Sequence, residues 1–142
     1  MTIRGGCLCG AVRYEIEAEP ITARVCWCRR CQKIGAGSGT VNVVFPAEAV
    51  SVKGELGDFK SVADGGNNMH TRFCPKCGTP VFTGAESRPH LVVVRAGTLD
   101  DPEVGAPAIT IWTEEAPSWA AFDPELPHDP GQPPPPVLAG HK

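Results

Sequence analysis

The six residues Cys26-Trp27-Cys28-Arg29-Arg30-Cys31 carry three thiols and two guanidinium groups. Thiolates are soft ligands, and three set this closely can converge on one metal ion while leaving a tetrahedral site one ligand short. The fourth position would then serve water or a substrate. Two further pairs, Cys7 with Cys9 and Cys74 with Cys77, bring the total to seven cysteines. The number is odd, the groups are tight, and no secretory leader is expected ahead of Gly5, so a disulfide framework is disfavoured. Clustered thiols in a reducing compartment more often hold metal, with buried inert thiols as the plain alternative. Seven divides into one closed site of four and one open site of three.

The sharpest local signal is Cys74-Pro75-Lys76-Cys77-Gly78, a C-P-x-C-G pattern that recurs in zinc ribbons and rubredoxin-like knuckles. Proline stiffens such a turn, glycine admits the left-handed backbone after it, and turn N–H groups can point at the sulfurs. A knuckle supplies only two ligands and must find a second pair elsewhere. Around the triplet, Arg24, Arg29, Arg30 and Lys33 lie in a ten-residue span without a carboxylate. They could offset the negative charge of a thiolate-rich site and grip substrate carboxylates, with Arg29 and Arg30 the foremost candidates. A solvated basic turn explains them equally well.

Other polar groups are weaker candidates. His70, His90, His128 and His141 read as surface or packing residues, although His90 could complete a site. Asp100 and Asp101 precede Pro102 and form a turn, while Glu114 and Glu115 offer a general base. Trp112, Trp119 and Phe122 read as core or pocket wall. The alternate glycines 35, 37 and 39 lack the spacing and lysine of a phosphate loop, which argues against nucleotide binding.

Positioning the cysteines falls to strands. Val12, Tyr14, Ile16 and Ala18 alternate with charged residues, the period of two of a half-buried strand. Residues 21–25 read as a strand that delivers the chain to the triplet, which sits where it gives way to a turn or short helical segment. Further strands are expected over residues 40–45, 51–53, 59–62, 69–73, 81–82, 91–94 and 108–112. Asp64-Gly65-Gly66-Asn67-Asn68 has the chemistry of a hairpin turn. No ten-residue stretch keeps helical periodicity free of Gly and Pro, so the fold should be mainly β.

At 142 residues the chain is about one domain long, and such a domain buries roughly 68–70% of its unfolded surface. The net charge of -3 leaves no electrostatic footprint for nucleic acid. No run approaches the roughly 20 apolar residues of a membrane span, and a cytoplasmic protein is expected. From Asp123 onward come seven of the fifteen prolines, a composition that suits an extended or partly disordered surface tail. We divide the chain into a metal-binding domain at residues 1–130 and a Pro-rich tail at 131–142.

Four ordered motifs together resemble the glutathione-dependent formaldehyde-activating enzyme family, which includes centromere protein V-like proteins. They are Gly6-Cys7-Leu8-Cys9-Gly10, Cys26-x-Cys28-x-x-Cys31 with Gly35-Ala36, Phe73-Cys74-Pro75-Lys76-Cys77-Gly78-Thr79-Pro80, and Arg95-Ala96-Gly97-Thr98-Leu99-Asp100. The resemblance spans residues 5 to about 130. It implies a single-domain β-tent with two zinc ions: Cys7, Cys9, Cys74 and Cys77 around a structural zinc, and Cys26, Cys28 and Cys31 around a second, open zinc that need not be fully occupied. Trp27 departs from the pattern, since many members carry histidine there. Tryptophan can neither transfer a proton nor ligate zinc, so it is packing or a lid over the site.

The resemblance further implies a carbon-sulfur lyase of the S-hydroxymethylglutathione synthase type, adding a glutathione-like thiol to formaldehyde or a related small aldehyde. Its partners would be these small molecules, without nucleic acid or membrane, and a homodimer stays open. The competing readings are a non-enzymatic zinc-stabilised interaction module and an iron-bearing electron carrier of rubredoxin type.

Overall fold

The computed structural model describes residues 1–134 and 136. Strands β1 (Ile3–Gly6), β2 (Arg13–Ile16) and β5 (Val50–Lys53) form a three-stranded antiparallel sheet in the order β1-β2-β5. A seven-stranded sheet takes β3 (Thr22–Cys26), β4 (Thr40–Pro46), β6 (Gly57–Val62), β7 (Asn68–Phe73), β8 (Pro80–Ala85), β9 (Leu91–Arg95) and β10 (Ile109–Ile111), ordered β10-β3-β4-β9-β8-β7-β6. Only β10 runs parallel to its neighbour, β3. Among the described residues the single α-helix is α1 (Arg29–Ile34), and the rest of the helical content is short 3-10 turns. The chain is mainly β, as its period-two patterning requires.

Alternation along β4 explains the layering. Val43 and Phe45 are fully buried in a core shared with Val12, Tyr14 and Ile16 of the small sheet and with Val81, Phe82 and Val94. Asn42 and Val44, one residue out of phase, face a cavity on the other side of the large sheet. Tyr14 sits on Phe82 with ring centroids 5.2 Å apart. Its hydroxyl lies 2.7 Å from Thr98 Oγ1, so the polar end is satisfied inside the core. Burial pushes the Tyr14 phenol up to about 12.

The hairpin at residues 64–68 forms as expected between β6 and β7. The described part of the Pro-rich stretch lies extended along a sheet edge, one of the two forms its composition suits. Thr110 donates to Pro127 O at 3.0 Å, Asp129 donates to Thr110 O at 2.9 Å, and His128 makes a parallel bridge to Thr110. Residues 127–131 thus cover the open edge of β10, whose own backbone groups would otherwise have only water as partner. Val137, Leu138 and His141 lie outside the described residues. No helix among the described residues is long and apolar enough to cross a membrane.

At the far end of the sheet, the imidazole of His70 is held between two carboxylates. Nδ1 lies 2.8 Å from Asp58 Oδ2 and Nε2 lies 2.7 Å from Glu86 Oε1; Glu86 also pairs with Lys60 at 3.2 Å. Glu86, then Asp58, raise His70 above the ordinary imidazole value. A group with a raised folded pKa adds stability that is fully present below its unfolded pKa and is lost as pH rises through the folded value. The melting temperature of His70→Gln should therefore fall short of wild type at acid pH, with the gap closing as pH climbs past about 6.5 and beyond. Thermal scans across pH check this, and a pH-independent gap would show that the imidazolium contributes nothing.

Candidate metal centres and the adjoining cavity

Cys7 and Cys9 sit in the loop between β1 and β2, while Cys74 and Cys77 sit in the loop between β7 and β8. Each sheet therefore contributes one knuckle. Backbone bonds draw both turns tight: Cys7 N–H to Val12 O at 3.0 Å, Gly10 N–H to Cys7 O at 3.2 Å, and Gly78 N–H to Cys74 O at 2.8 Å. Gly78 has φ of +77°, which a residue with a side chain adopts only under strain. The four sulfurs lie within 4.8 Å of one another, and Cys9 Sγ stands 3.7 Å from both Cys7 Sγ and Cys74 Sγ.

That spacing is a test of fit. Tetrahedral zinc with Zn–S bonds of about 2.3 Å requires sulfur–sulfur edges of roughly 3.8 Å. The donor set and its geometry suit a closed four-thiolate site. Val12 N–H points at Cys7 Sγ at 3.2 Å, the kind of outer contact that steadies a thiolate. The Thr79 hydroxyl, 3.1 Å from Cys77 Sγ, and the Thr79 backbone hold Cys77 down to about 5.

The triplet is placed by a strand end and a helix start. Cys26 closes β3, paired with Ile111 of β10 and Thr40 of β4. Cys28 is the N-cap of α1, its sulfur accepting from Cys31 N–H at 3.3 Å. Cys31, one turn on, brings its sulfur back to the other two, and all three lie within 4.8 Å of one another. Three soft donors with no fourth protein ligand among the described residues fit an open metal site. Hydrogen bonds from Cys26 and Cys28 pull the Cys31 thiol down, and the same sharing, with burial, pushes Cys26 up. Gln32, buried behind the triplet, donates to Trp27 O at 2.6 Å and Glu115 O at 3.0 Å, locking the turn in place.

The triplet opens onto a cavity of about 570 Å³ on the face of the large sheet opposite the core. Strand register brings Arg24, Asn42 and Arg95 side by side across β3, β4 and β9, with Cys26 two residues along from Arg24 on the same face. Arg30 and Arg88 bring the arginines lining the cavity to four, against one carboxylate, Asp64. Arg95 Nη1 donates to Asn42 Oδ1 at 2.5 Å, and its Nε is buried without a partner among the described residues. Burial first, then the like charge of Arg88, lower Arg24 below the ordinary guanidinium range.

Several expected site residues fall elsewhere. Of the basic island only Arg24 and Arg30 line the cavity. Arg29 instead donates to Gln32 Oε1 at 2.5 Å, and Arg30 is braced by Ser61 Oγ at 2.6 Å and Val62 O at 3.2 Å. Trp27 is packing rather than a lid: it is buried, meets Phe122 edge-on at 5.8 Å, and lies so close to Gly39 that a Cβ there would come within 3.0 Å of the indole. A different side chain at position 27 would thus change packing behind the site. Glu115 receives Arg29 N–H at 3.3 Å, and neither it nor Glu114 lines the cavity. His90 belongs to neither cysteine group, and Trp119 is 71% exposed. Arg88, Arg95 and Asn42 escaped sequence reading. Arg95 does share period-two phase with Leu91 and Val93, a signal that could have found it, whereas Arg88 sits in a loop with no such signal.

A curated relative from Halomonas elongata, provisionally named a glutathione-dependent formaldehyde-activating enzyme, is 26% identical over 129 residues, covering 87% of this chain and 82% of its own. A crystal structure of a Rhodobacter sphaeroides protein shares the fold, with a TM-score of 0.56 at 24% identity over 73% of this chain and 96% of that one. The family model described as glutathione-dependent formaldehyde-activating enzyme matches residues 2–115. That match takes in all seven cysteines and the cavity's four arginines, and it places the chain in the glutathione-dependent formaldehyde-activating enzyme family.

Proposed function

We propose that the protein is a zinc-dependent carbon-sulfur lyase that joins an anionic thiol of the glutathione type to formaldehyde or a related small aldehyde, and reverses the reaction. One observation carries this reading. Arg24 and Arg88 line the cavity onto which the three sulfurs open, and neither guanidinium has a hydrogen-bond or ion-pair partner among the described residues. Unpaired arginines in a concave site are suited to bidentate capture of carboxylates. Free thiol clusters and a reduced thiol substrate fit a reducing compartment, the cytoplasm.

Zinc held by Cys26, Cys28 and Cys31 would supply the Lewis acidity that keeps a substrate thiol deprotonated at neutral pH. Cys7, Cys9, Cys74 and Cys77 would hold a second zinc with a structural role. The chain's own groups orient and enclose: Arg24 and Arg88 fix the carboxylates, Asn42 holds Arg95 in place, Ile111 lies beside Cys26 at the sulfur end, and Val44, Val93 and Leu91 form the apolar wall farther along the strands. Overall, the thiol sulfur forms a bond to the aldehyde carbon, the C=O π bond opens, and the thiol proton ends on the oxygen. The reverse reaction breaks the same carbon-sulfur bond.

Calorimetric titration with glutathione tests the reading. Losing one charge-assisted contact costs about 1.5–3 kcal/mol, or roughly 10- to 150-fold in Kd, so Arg24→Gln and Arg88→Gln should each weaken binding toward that range. Unchanged affinity in both variants would reject the anion clamp. If glutathione binds but S-hydroxymethyl adduct, followed by NMR, forms no faster than without protein, the chain is a binding module rather than an enzyme.

A further inference from the structure

Trp112 is set apart by its backbone. With φ of 58° and ψ of 35° it holds a bulky aromatic residue in the left-handed region, where such side chains are outliers. Strain of this sort persists only where the surroundings over-determine it, and it collects at functional sites. The surroundings here are residues 127–134, which strap the end of β10. Trp112 N–H donates to Gly131 O at 3.2 Å, Glu114 N–H to Pro130 O at 3.3 Å, and the indole Nε1–H to Gln132 Oε1 at 2.9 Å. Asp129 stiffens the strap by accepting from Gly131 N–H at 2.9 Å.

Trp112 is held beside the triplet. It packs on the cluster of Cys26, Cys31 and Ile111, and it shares the cavity wall with Gln132 and Pro133. The family match ends at residue 115. The wall beside the triplet is therefore completed by a segment outside the matched region, which lines the cavity with Gln132 and Pro133 and holds the strained Trp112 in place.

We infer that Trp112, fixed by the strap at residues 127–134, sets the size limit for whatever the substrate carries next to its sulfur. This rests on the thiol-aldehyde reading above. When a thiol RSH adds to an aldehyde R′CHO, the product is RS–CH(OH)R′: the new carbon-sulfur bond places R′ one atom from the sulfur, and the thiol proton moves to the oxygen. With R′ as hydrogen the adduct clears the indole. A larger R′ meets it.

Binding of S-methyl-, S-butyl- and S-hexylglutathione to the full chain, measured by calorimetry, tests this without turnover. A poorly fitting methylene can cost tenfold or more in a tight pocket, so the wild-type Kd should weaken at least about tenfold from the methyl to the hexyl compound. Trp112→Ala should flatten the series to within about threefold. Gln132→Ala, a change at an exposed residue that cannot unfold the core, should flatten it in part, and keeps the inference falsifiable should Trp112→Ala not fold. The same penalty in wild type and both variants overturns the inference. So does an equal loss of affinity for all three ligands, which would mark Trp112 as merely structural. If wild type binds no S-alkylglutathione at all, the glutathione reading alone falls; ethanethiol against hexanethiol then reads the same limit by the same comparison of variants.

Discussion

Cys77→Ala is expected to leave no stable folded protein. Cys77 is only half-buried, so truncating its side chain opens little cavity, and a loss of fold would report on the metal site. The four sulfurs come from two loops, one on each sheet, so an ion there would cross-link the three-stranded sheet to the seven-stranded one. Structural zinc contributes about 10–16 kcal/mol in zinc-finger peptides, against a total stability of about 5–15 kcal/mol for a typical domain. Losing one of four ligands forfeits much of the first figure, and the second cannot absorb it. Soluble yield, thermal melting and zinc content per chain are the measurements. A soluble Cys77→Ala that melts within a few degrees of wild type and keeps the same zinc content would refute a structural role for this group.

Much of this arrangement was legible in the chain before any coordinates. The alternation of Val12, Tyr14 and Ile16 marked β2, and the knuckle at residues 74–78 announced its turn, because period and turn chemistry are local properties. Count and coordination number divided seven cysteines into four and three, the family resemblance said which four, and the structure brings together those same two groups. Which cations face the cavity was not legible. Arg29 and Arg30 are adjacent in sequence, yet a single helical step of about 100° turns one onto Gln32 and the other toward the cavity. Arg88 reaches the site from a loop more than fifty residues past the triplet, through sheet pairing that no local pattern encodes. The Pro-rich stretch read as an extended or partly disordered surface tail, because composition speaks only of its own packing. Its structural role comes from the open edge of β10, a property of its partner.

Cys28→Ala should do the opposite of Cys77→Ala, staying folded while losing the chemistry. Cys28 lies outside both sheets, at the N-cap of a six-residue helix, where its sulfur accepts one backbone hydrogen bond. Replacing an N-cap acceptor by alanine costs about 0.5–2 kcal/mol, which a domain of ordinary stability survives. The open site, by contrast, falls from three sulfurs to two, and two thiolates are a poor set for retaining zinc. Zinc content should drop from two per chain toward one, and adduct formation should fall by about a hundred- to a thousandfold, the scale seen when a principal electrostatic group is deleted. Cys28→Ser separates the two roles. Serine is a better N-cap than alanine but a far weaker soft ligand, so its melting temperature should return toward wild type while zinc content and activity remain lost. If both variants kept two zincs and full activity, the triplet would not be the reactive centre, and the arginine-lined cavity beside it would need another partner.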